Sequence, residues 1–504
     1  MSQNLFDRFA ALIPDPARLA IETLQGERFT YGDVVALSGR LAGALVDLGV
    51  QPGDRVAVQV EKSVPALVLY LATIRAGGVF LPLNTAYTLA ELGYFIADAE
   101  PRVVVCDPAK REGIETIAAP IGARVVTLDA RGQGSLMEAA EAQAPDFATV
   151  RRQGDDLAAV LYTSGTTGRS KGAMLTQDNL VSNALTLRDH WRFTADDVLV
   201  HALPIYHTHG LFVATNCVLF SGARMIFLPR FDPDAVMAAL PRATSLMGVP
   251  TFYTRLLQDP RLTREATAHM RLFVSGSAPL LAETHREWQA KTGHAILERY
   301  GMTETNMNTS NPYEGDRVPG TVGFPLPGVD LRIADPESGR VLPQGEIGMI
   351  EVRGPNVFQG YWRMPEKTAA EFRADGFFIT GDLGRIDERG YVHIVGRGKD
   401  LIITGGFNVY PKEVETEIDG LPGVVESAVI GVPHADFGEG VTAVVVAQKG
   451  APISEADVLK ALEARLAKFK LPKRVMVVED LPRNAMGKVQ KNVLRDTYKD
   501  LYKR

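Results

Sequence analysis

The residue types best suited to chemistry in this chain are concentrated in one stretch, Tyr162-Thr163-Ser164-Gly165-Thr166-Thr167-Gly168-Arg169-Ser170-Lys171-Gly172. Hydroxyls, glycines and two cations follow directly on Leu157-Ala158-Ala159-Val160-Leu161, an apolar run that reads as a buried strand. Glycine lets a backbone turn at positive φ and approach a ligand closely, while N–H groups and hydroxyls donate hydrogen bonds. Lys171 adds a mobile positive charge. Such a loop suits an anion, and polyphosphate is the natural ligand. The order of residues is not that of the kinase and GTPase P-loop, which needs two glycines four residues apart followed by Lys and Ser/Thr.

A loop of this kind needs a rigid frame, and the flanking sequence supplies one. Thr30 is placed to cap a helix with apolar positions from Val34 to Leu48, ended by Gly49. Strands are expected at Val56–Val60, Val79–Leu83 and Val103–Cys106, with helices at Ala66–Arg75 and Thr88–Ala97 between them. The alternation resumes after the loop, with strands at Val198–Val200, Met225–Leu228, Ser245–Val249, Leu272–Ser275 and Ala295–Leu297. Strand and helix in turn imply a parallel sheet covered on both faces, whose ligands lie beyond the carboxyl ends of the strands. The loops Gly276-Ser277-Ala278-Pro279 and Glu298-Arg299-Tyr300-Gly301-Met302-Thr303-Glu304 fall there.

After about residue 315 the chain turns rich in Gly and Pro, with short strands such as Asp330–Ile333 and Gly348–Val352. Beyond Gly396-Arg397-Gly398-Lys399 come strands at Glu426–Val432 and Thr442–Val446, a helix near Glu455–Lys468, and a basic tail. The expected fold is α/β. A large N-terminal domain, 1–396, contains α/β subdomains at about 1–150 and 155–315 and a β-rich part at about 316–396, and it is hinged to a small α+β domain, 397–504.

The 504 residues exceed what one core organises. With 46% hydrophobic and 23% charged residues and a formal charge of −6, the composition is that of a soluble globular protein without a nucleic-acid footprint. Two cysteines, Cys106 and Cys217, sit in apolar surroundings and form neither a disulfide framework nor metal-ligand spacing. A cytoplasmic location is expected, with no membrane span and no export signal.

Several further strings lie along the chain in a fixed order: Tyr300-Gly301-Met302-Thr303-Glu304, Thr380-Gly381-Asp382, Arg397 and Lys399, Gly405-Gly406-Phe407-Asn408, and Leu481-Pro482-Arg483-Asn484-Ala485-Met486-Gly487-Lys488. With the loop at 162–172 they resemble the signatures of the adenylate-forming superfamily, which includes acyl-CoA synthetases. Over the whole chain the similarity is greatest to the malonyl-CoA and methylmalonyl-CoA synthetases. The resemblance implies ATP contacts at Thr163, Ser164, Gly165, Thr166, Thr167, Gly168, Lys171, Ser277, Ala278, Glu298, Tyr300, Gly301, Thr303, Asp382, Arg397 and Lys488. It implies Mg²⁺ on Glu304, a hinge at Lys399, and a CoA tunnel lined by Gly405, Gly406 and Phe407. Lys488 is implied to bridge the attacking carboxylate and the α-phosphate. It also resembles a site of reversible acetylation, which would make an acetyltransferase and a deacetylase partners.

The implied reaction joins an acid to CoA at the expense of ATP, through an acyl-adenylate. For the acid, His207 resembles the gate to the carboxylate, and Thr208 and Met302 are expected to bound the space beside it. Arg230 or Arg286 is expected to pair with a second carboxylate, suggesting a short diacid. The adjacent pair His207 and His209 lacks a third ligand for zinc. Two alternatives remain open: a medium-chain or aryl acyl-CoA synthetase, and a non-catalytic module that holds a nucleotide or acyl-adenylate.

Overall fold

The structure is a computed structural model that describes residues 2–503 apart from 164–169, 406, 452, 464 and 485–486. Ser164, Gly165, Thr166, Thr167, Gly168 and Gly406 therefore lie outside the described residues. Contacts divide the chain into two compact units, Met1–Asp330 with Arg353–Phe372, and Leu331–Val352 with Arg373–Arg504.

Local chemistry places the helices of the first unit. The Thr30 hydroxyl accepts the Asp33 N–H while the Asp33 carboxylate accepts the Thr30 N–H, a capping box that starts the helix Tyr31–Asp47. Gly49, at φ +93°, ends it. Thr88 and Glu91 repeat the device at the helix Leu89–Ala99. The helix Val64–Arg75 has few polar residues and is buried nearly throughout, as a helix packed on several sides must be.

These helices cover two sheets. The seven-stranded sheet runs Gly360–Tyr361, Lys171–Thr176, Leu157–Thr163, Val79–Pro82, Arg55–Gln59, Val103–Cys106, Arg124–Thr127. Its last five strands are parallel and its first two antiparallel. The nine-stranded sheet runs Phe324–Pro325, Asn306–Ser310, Leu297–Met302, Leu272–Ser275, Ser245–Gly248, Val198–His201, Arg224–Phe227, Leu19–Thr23, Arg28–Thr30. The six strands from Leu297–Met302 to Leu19–Thr23 in this order are parallel, and Leu272–Ser275, Ser245–Gly248, Val198–His201 and Arg224–Phe227 among them are almost fully buried, which explains their apolar sequences.

One expectation changes here. The strand foreseen at Ala295–Leu297 is instead Leu297–Met302, so the Glu298–Met302 signature lies within the sheet and not in a loop after it. The strand is prolonged because Asn306–Ser310 folds back on it as an antiparallel hairpin.

In the second unit, four strands (Asp330–Ala334, Gly348–Arg353, Phe378–Ile386, Val392–Arg397) form one sheet. A five-stranded sheet carries Gly438–Ala447 between Val424–His434 and Arg474–Val478, extended by Ile402–Thr404 and Phe407–Val409. Helices Pro411–Asp419 and Glu455–Glu463 fill one face of this sheet with apolar residues, and Lys491–Tyr498 the other. The helix expected near Glu455–Lys468 is found over Glu455–Glu463, and Lys468 belongs instead to a short 3₁₀ turn, Lys468–Lys470. The β-rich part expected within 316–396 is thus grouped by its contacts with the C-terminal segment. The helix Pro411–Asp419 packs on the strand Val392–Arg397.

Candidate active site

The frame of the hydroxyl-rich loop is a hairpin. Leu157–Thr163 and Lys171–Thr176 pair antiparallel, with Thr163 opposite Lys171, so both ends of the intervening segment are held side by side. Ala158, Ala159, Val160 and Leu161 anchor the first strand in the core. The Tyr94 hydroxyl donates to the Ser170 carbonyl at 2.8 Å, and the Tyr162 hydroxyl donates to Asp98. Lys171 Nζ lies 3.2 Å from Glu371 Oε1 and 4.1 Å from the centre of the Tyr361 ring.

Glu304 sits in the turn of the hairpin between Leu297–Met302 and Asn306–Ser310, yet it is buried. Gly301 allows the hairpin to close: a Cβ there would lie 1.9 Å from the Asn306 carbonyl oxygen. Tyr300, Met302 and Thr303 flank the turn half-buried. The Tyr361 hydroxyl reaches Glu304 Oε1 at 3.0 Å and Glu371 Oε2 at 2.6 Å. Glu298 is buried against His285 Nδ1 at 3.1 Å and accepts the Gly320 N–H at 3.1 Å.

Beside this hairpin lies a cluster of buried polar atoms that lack partners among the described residues. Ser277, at φ +71°, holds the left-handed conformation that non-glycine residues rarely adopt. Its hydroxyl is 3.2 Å from His209 Nδ1. Burial, reinforced by the charge of Arg299, pushes the His209 imidazole well below its ordinary value, so it is neutral. His209 Nε2, Thr208 Oγ1, Ser275 Oγ and two guanidinium nitrogens of Arg299 have no hydrogen-bond partner among the described residues. The Arg299 guanidinium packs against Gly276, where a Cβ would fall 2.2 Å from its Cζ. Burial pushes it down to about 9, which still leaves a full positive charge at neutral pH. His207 Nδ1 accepts the His209 N–H at 3.3 Å, which puts the proton of a neutral His207 on Nε2. Lys62, whose Nζ donates to the His201 carbonyl at 2.8 Å, braces the strand that leads into this segment.

Arg230 and Arg286, expected at this pocket, are exposed, and Arg286 is paired with Glu283 one helical turn away. On the amphipathic helix Ala282–Thr292 the buried face is taken by Thr284, His285 and Trp288, which leaves Arg286 toward water. Arg299 is the arginine that the fold buries here. A charged Glu-Arg pair inside an otherwise apolar strand was the available signal. Ala278 is half-buried beside Ser277.

In the second unit, Asp382 and Arg397 face each other across the hairpin of Phe378–Ile386 and Val392–Arg397. Asp382 is buried, and its Oδ1 lies 3.0 Å from Arg397 Nε. Lys399 occupies a 3₁₀ turn, Gly398–Asp400. Burial first, then the charges of Arg397, Lys488 and Arg495, push its ammonium down to about 8. Lys488 is half-buried, and its backbone N–H donates to Asn484 Oδ1 at 2.9 Å. Gly405 takes φ +57°, and Phe407 is exposed in a short edge strand.

Tyr361 and Glu371 were not foreseen. Their contacts with Lys171 and Glu304 span up to 200 residues of chain, a separation that no local pattern reveals.

Comparison with known proteins gives a concordant result. Residues 7–362 match the model for the AMP-binding enzyme family, and 413–488 that for the AMP-binding enzyme C-terminal domain. A mitochondrial malonate–CoA ligase of Bos taurus is 36% identical, over 96% of this chain and 88% of its own length. A feruloyl-CoA synthase of Amycolatopsis is 38% identical, over 93% and 94%. The crystal structure of ATP-bound MatB from Rhodopseudomonas palustris is 72% identical over all of both chains, with a TM-score of 0.99. With both models matched in order and full-length relatives on either side, the chain belongs to the family of AMP-binding enzymes.

Proposed function

We propose that the protein is an AMP-forming acid–thiol ligase that converts a short dicarboxylic acid, malonate or methylmalonate, to its CoA thioester. A carboxylate of the acid attacks the α-phosphorus of ATP, the bond to the β-phosphate breaks, and pyrophosphate leaves an acyl-adenylate. The thiol of CoA then attacks the acyl carbonyl and AMP departs.

The observation that carries the choice of acid is the Arg299 guanidinium, buried, charged and with two nitrogens unpartnered among the described residues. A buried cation without a counter-ion is strongly unfavourable, and a second carboxylate on the substrate supplies the counter-ion. Thr208 and His209 offer further donors beside it. The identity to malonate–CoA ligases and to MatB supports the same choice. An aryl acid, as for the feruloyl-CoA synthase relative, would leave the guanidinium unpaired.

In the first half-reaction two anions must meet, so the protein's task is positioning and charge neutralisation. Thr163, Lys171 and the loop between them are read as the polyphosphate site. Asp382 and Arg397 are read as the ribose contacts, since an ionised carboxylate accepts two hydroxyls at once. Glu304, a buried carboxylate, would hold a Mg²⁺, which would neutralise polyphosphate charge. Lys488 is assigned to stabilise the charge building at the α-phosphate. Acetylation would remove that charge. Acetylated protein, the product of a lysine acetyltransferase, would then lose adenylation while still turning supplied acyl-adenylate into thioester. A hinge at Lys399 and a CoA path by Gly405 and Phe407 complete the reading.

The test is pyrophosphate release with malonate, methylmalonate, octanoate and ferulate side by side, followed by thioester formation with CoA. Turnover of the diacids at least tenfold above the monoacids supports the assignment, and the reverse order overturns it. Lys488→Ala is expected to slow pyrophosphate release by about 10²–10³-fold, the scale of one lost transition-state donor, and to spare thioester formation from supplied acyl-adenylate.

A further inference from the structure

The loop lysine has a carboxylate partner within the fold. Lys171 Nζ sits 3.2 Å from Glu371 Oε1, and both side chains are about four-fifths buried, at 21% and 18% exposure. Lys367 Nζ shares the same oxygen at 2.8 Å. The other oxygen, Oε2, accepts the Tyr361 hydroxyl at 2.6 Å, and the same hydroxyl stands 3.0 Å from Glu304 Oε1. The hydroxyl has one proton for two carboxylates and holds both through a three-centre hydrogen bond, whose shorter arm runs to Glu371.

This segment is anchored at both of the places it touches. Gly360–Tyr361 pairs with Ala173 and Met174 at the edge of the seven-stranded sheet, and the Trp362 N–H donates to the Gly172 carbonyl at 2.7 Å. The Phe358 N–H donates to the Glu304 carbonyl at 2.7 Å. Asn356 Nδ2 donates to the Thr305 and Met307 carbonyls at 2.7 and 3.2 Å. One ribbon, 356–371, thereby ties the end of the phosphate-loop hairpin to the turn that carries Glu304.

We propose that Glu371 is an internal counter-ion that competes with polyphosphate for Lys171, and that Tyr361 is the positioning residue that locks this pair to Glu304. The inference rests on reading Lys171 as a phosphate ligand. ATP must displace Glu371 from the lysine to bind, so nucleotide affinity is held down by an ion pair made beforehand. In return the lysine and Glu304 are presented together, at a fixed separation, when the substrate arrives.

The experiment is calorimetric titration of the full-length protein with Mg²⁺ and ATP, without acid, so that no turnover occurs. Lys171→Ala is expected to weaken ATP by about tenfold, as loss of a charge-assisted contact does. Glu371→Gln keeps an acceptor for the Tyr361 hydroxyl but removes the competing charge. It is expected to tighten ATP by about two- to fivefold, the scale of a partly exposed ion pair. In the Lys171→Ala background the same change is expected to do nothing. Tightening that persists in that background reports bulk repulsion and overturns the counter-ion. Unchanged or weaker binding by Glu371→Gln, with Lys171→Ala still weakening ATP, also overturns it. Unchanged binding by Lys171→Ala overturns the phosphate-ligand reading instead. A second variant, Tyr361→Phe, keeps the ring under Lys171. It is expected to lower kcat for pyrophosphate release about tenfold, with ATP affinity within twofold and thioester formation from supplied acyl-adenylate unchanged. A change in affinity alone, or equal loss in both half-reactions, rejects Tyr361 as a positioning residue.

Discussion

Arg299 illustrates how much one side chain can determine. It is buried in the strand Leu297–Met302, against a glycine that leaves room for its plane, and two of its nitrogens have no hydrogen-bond partner among the described residues. Arg299→Met is expected to cut kcat/KM for malonate by about 10²–10³-fold, the range for losing one partner of a buried charge pair. Butyrate, which has no second carboxylate, is expected to change by less than about threefold, so the malonate-to-butyrate ratio is the quantity to measure. A uniform loss on both acids would point to a merely structural arginine. Arg299→Lys keeps the charge but not the planar fork and should recover only part of the malonate activity.

At the level of elements, the turn that carries Glu304 depends on Gly301. A methyl group there meets a backbone oxygen, which no rotamer change can relieve. Gly301→Ala is therefore expected to destabilise the first unit by about 1–3 kcal/mol, read from the denaturant midpoint, and to disturb Glu304 with it. The Lys399 turn makes a prediction in pH. Its folded-state ammonium is pushed down to about 8, below the ordinary lysine value of 10.5, so between these values the unfolded chain binds more protons than the folded one. Stability contributed by this residue accordingly rises as pH climbs from about 8 toward 10.5 and is at its least below 8. The melting temperature of the wild type relative to Lys399→Met should climb across that window. A difference that is flat or falling would show that the lysine is solvated.

For the whole molecule, two compact units with separate apolar cores predict that thermal unfolding is not two-state. ATP at a hundred times its Kd should stabilise whatever it binds by about 2.7 kcal/mol. Differential scanning calorimetry with and without nucleotide is expected to move the transition that includes the unit carrying Lys171 and Glu304. Failure of any transition to respond at saturating ATP would contradict the assignment of the loop. The second unit also departs from the expected partition, because the small sheet between Asp330 and Arg397 groups with the C-terminal segment.

Much of this protein is local and was therefore legible in residue order. The strand Val103–Cys106 and the helix capped by Thr30 stand where periodicity and capping chemistry put them, since both depend on neighbours a few residues away. The signature strings single out Glu304, Asp382 and Lys488 as candidates because each lies in a run of residues with a recognisable order. The same reading expects the second-carboxylate contact at Arg230 or Arg286, because sequence shows that an arginine is near a pocket-forming segment but not which way it turns. Burial decides that, and burial is set by packing among distant segments: Trp288 and His285 take the inner face of one helix and turn Arg286 out, while the sheet encloses Arg299. Likewise the Lys171–Glu371–Tyr361–Glu304 chain joins residues up to 200 positions apart, and only a folded sheet edge brings them within hydrogen-bond reach.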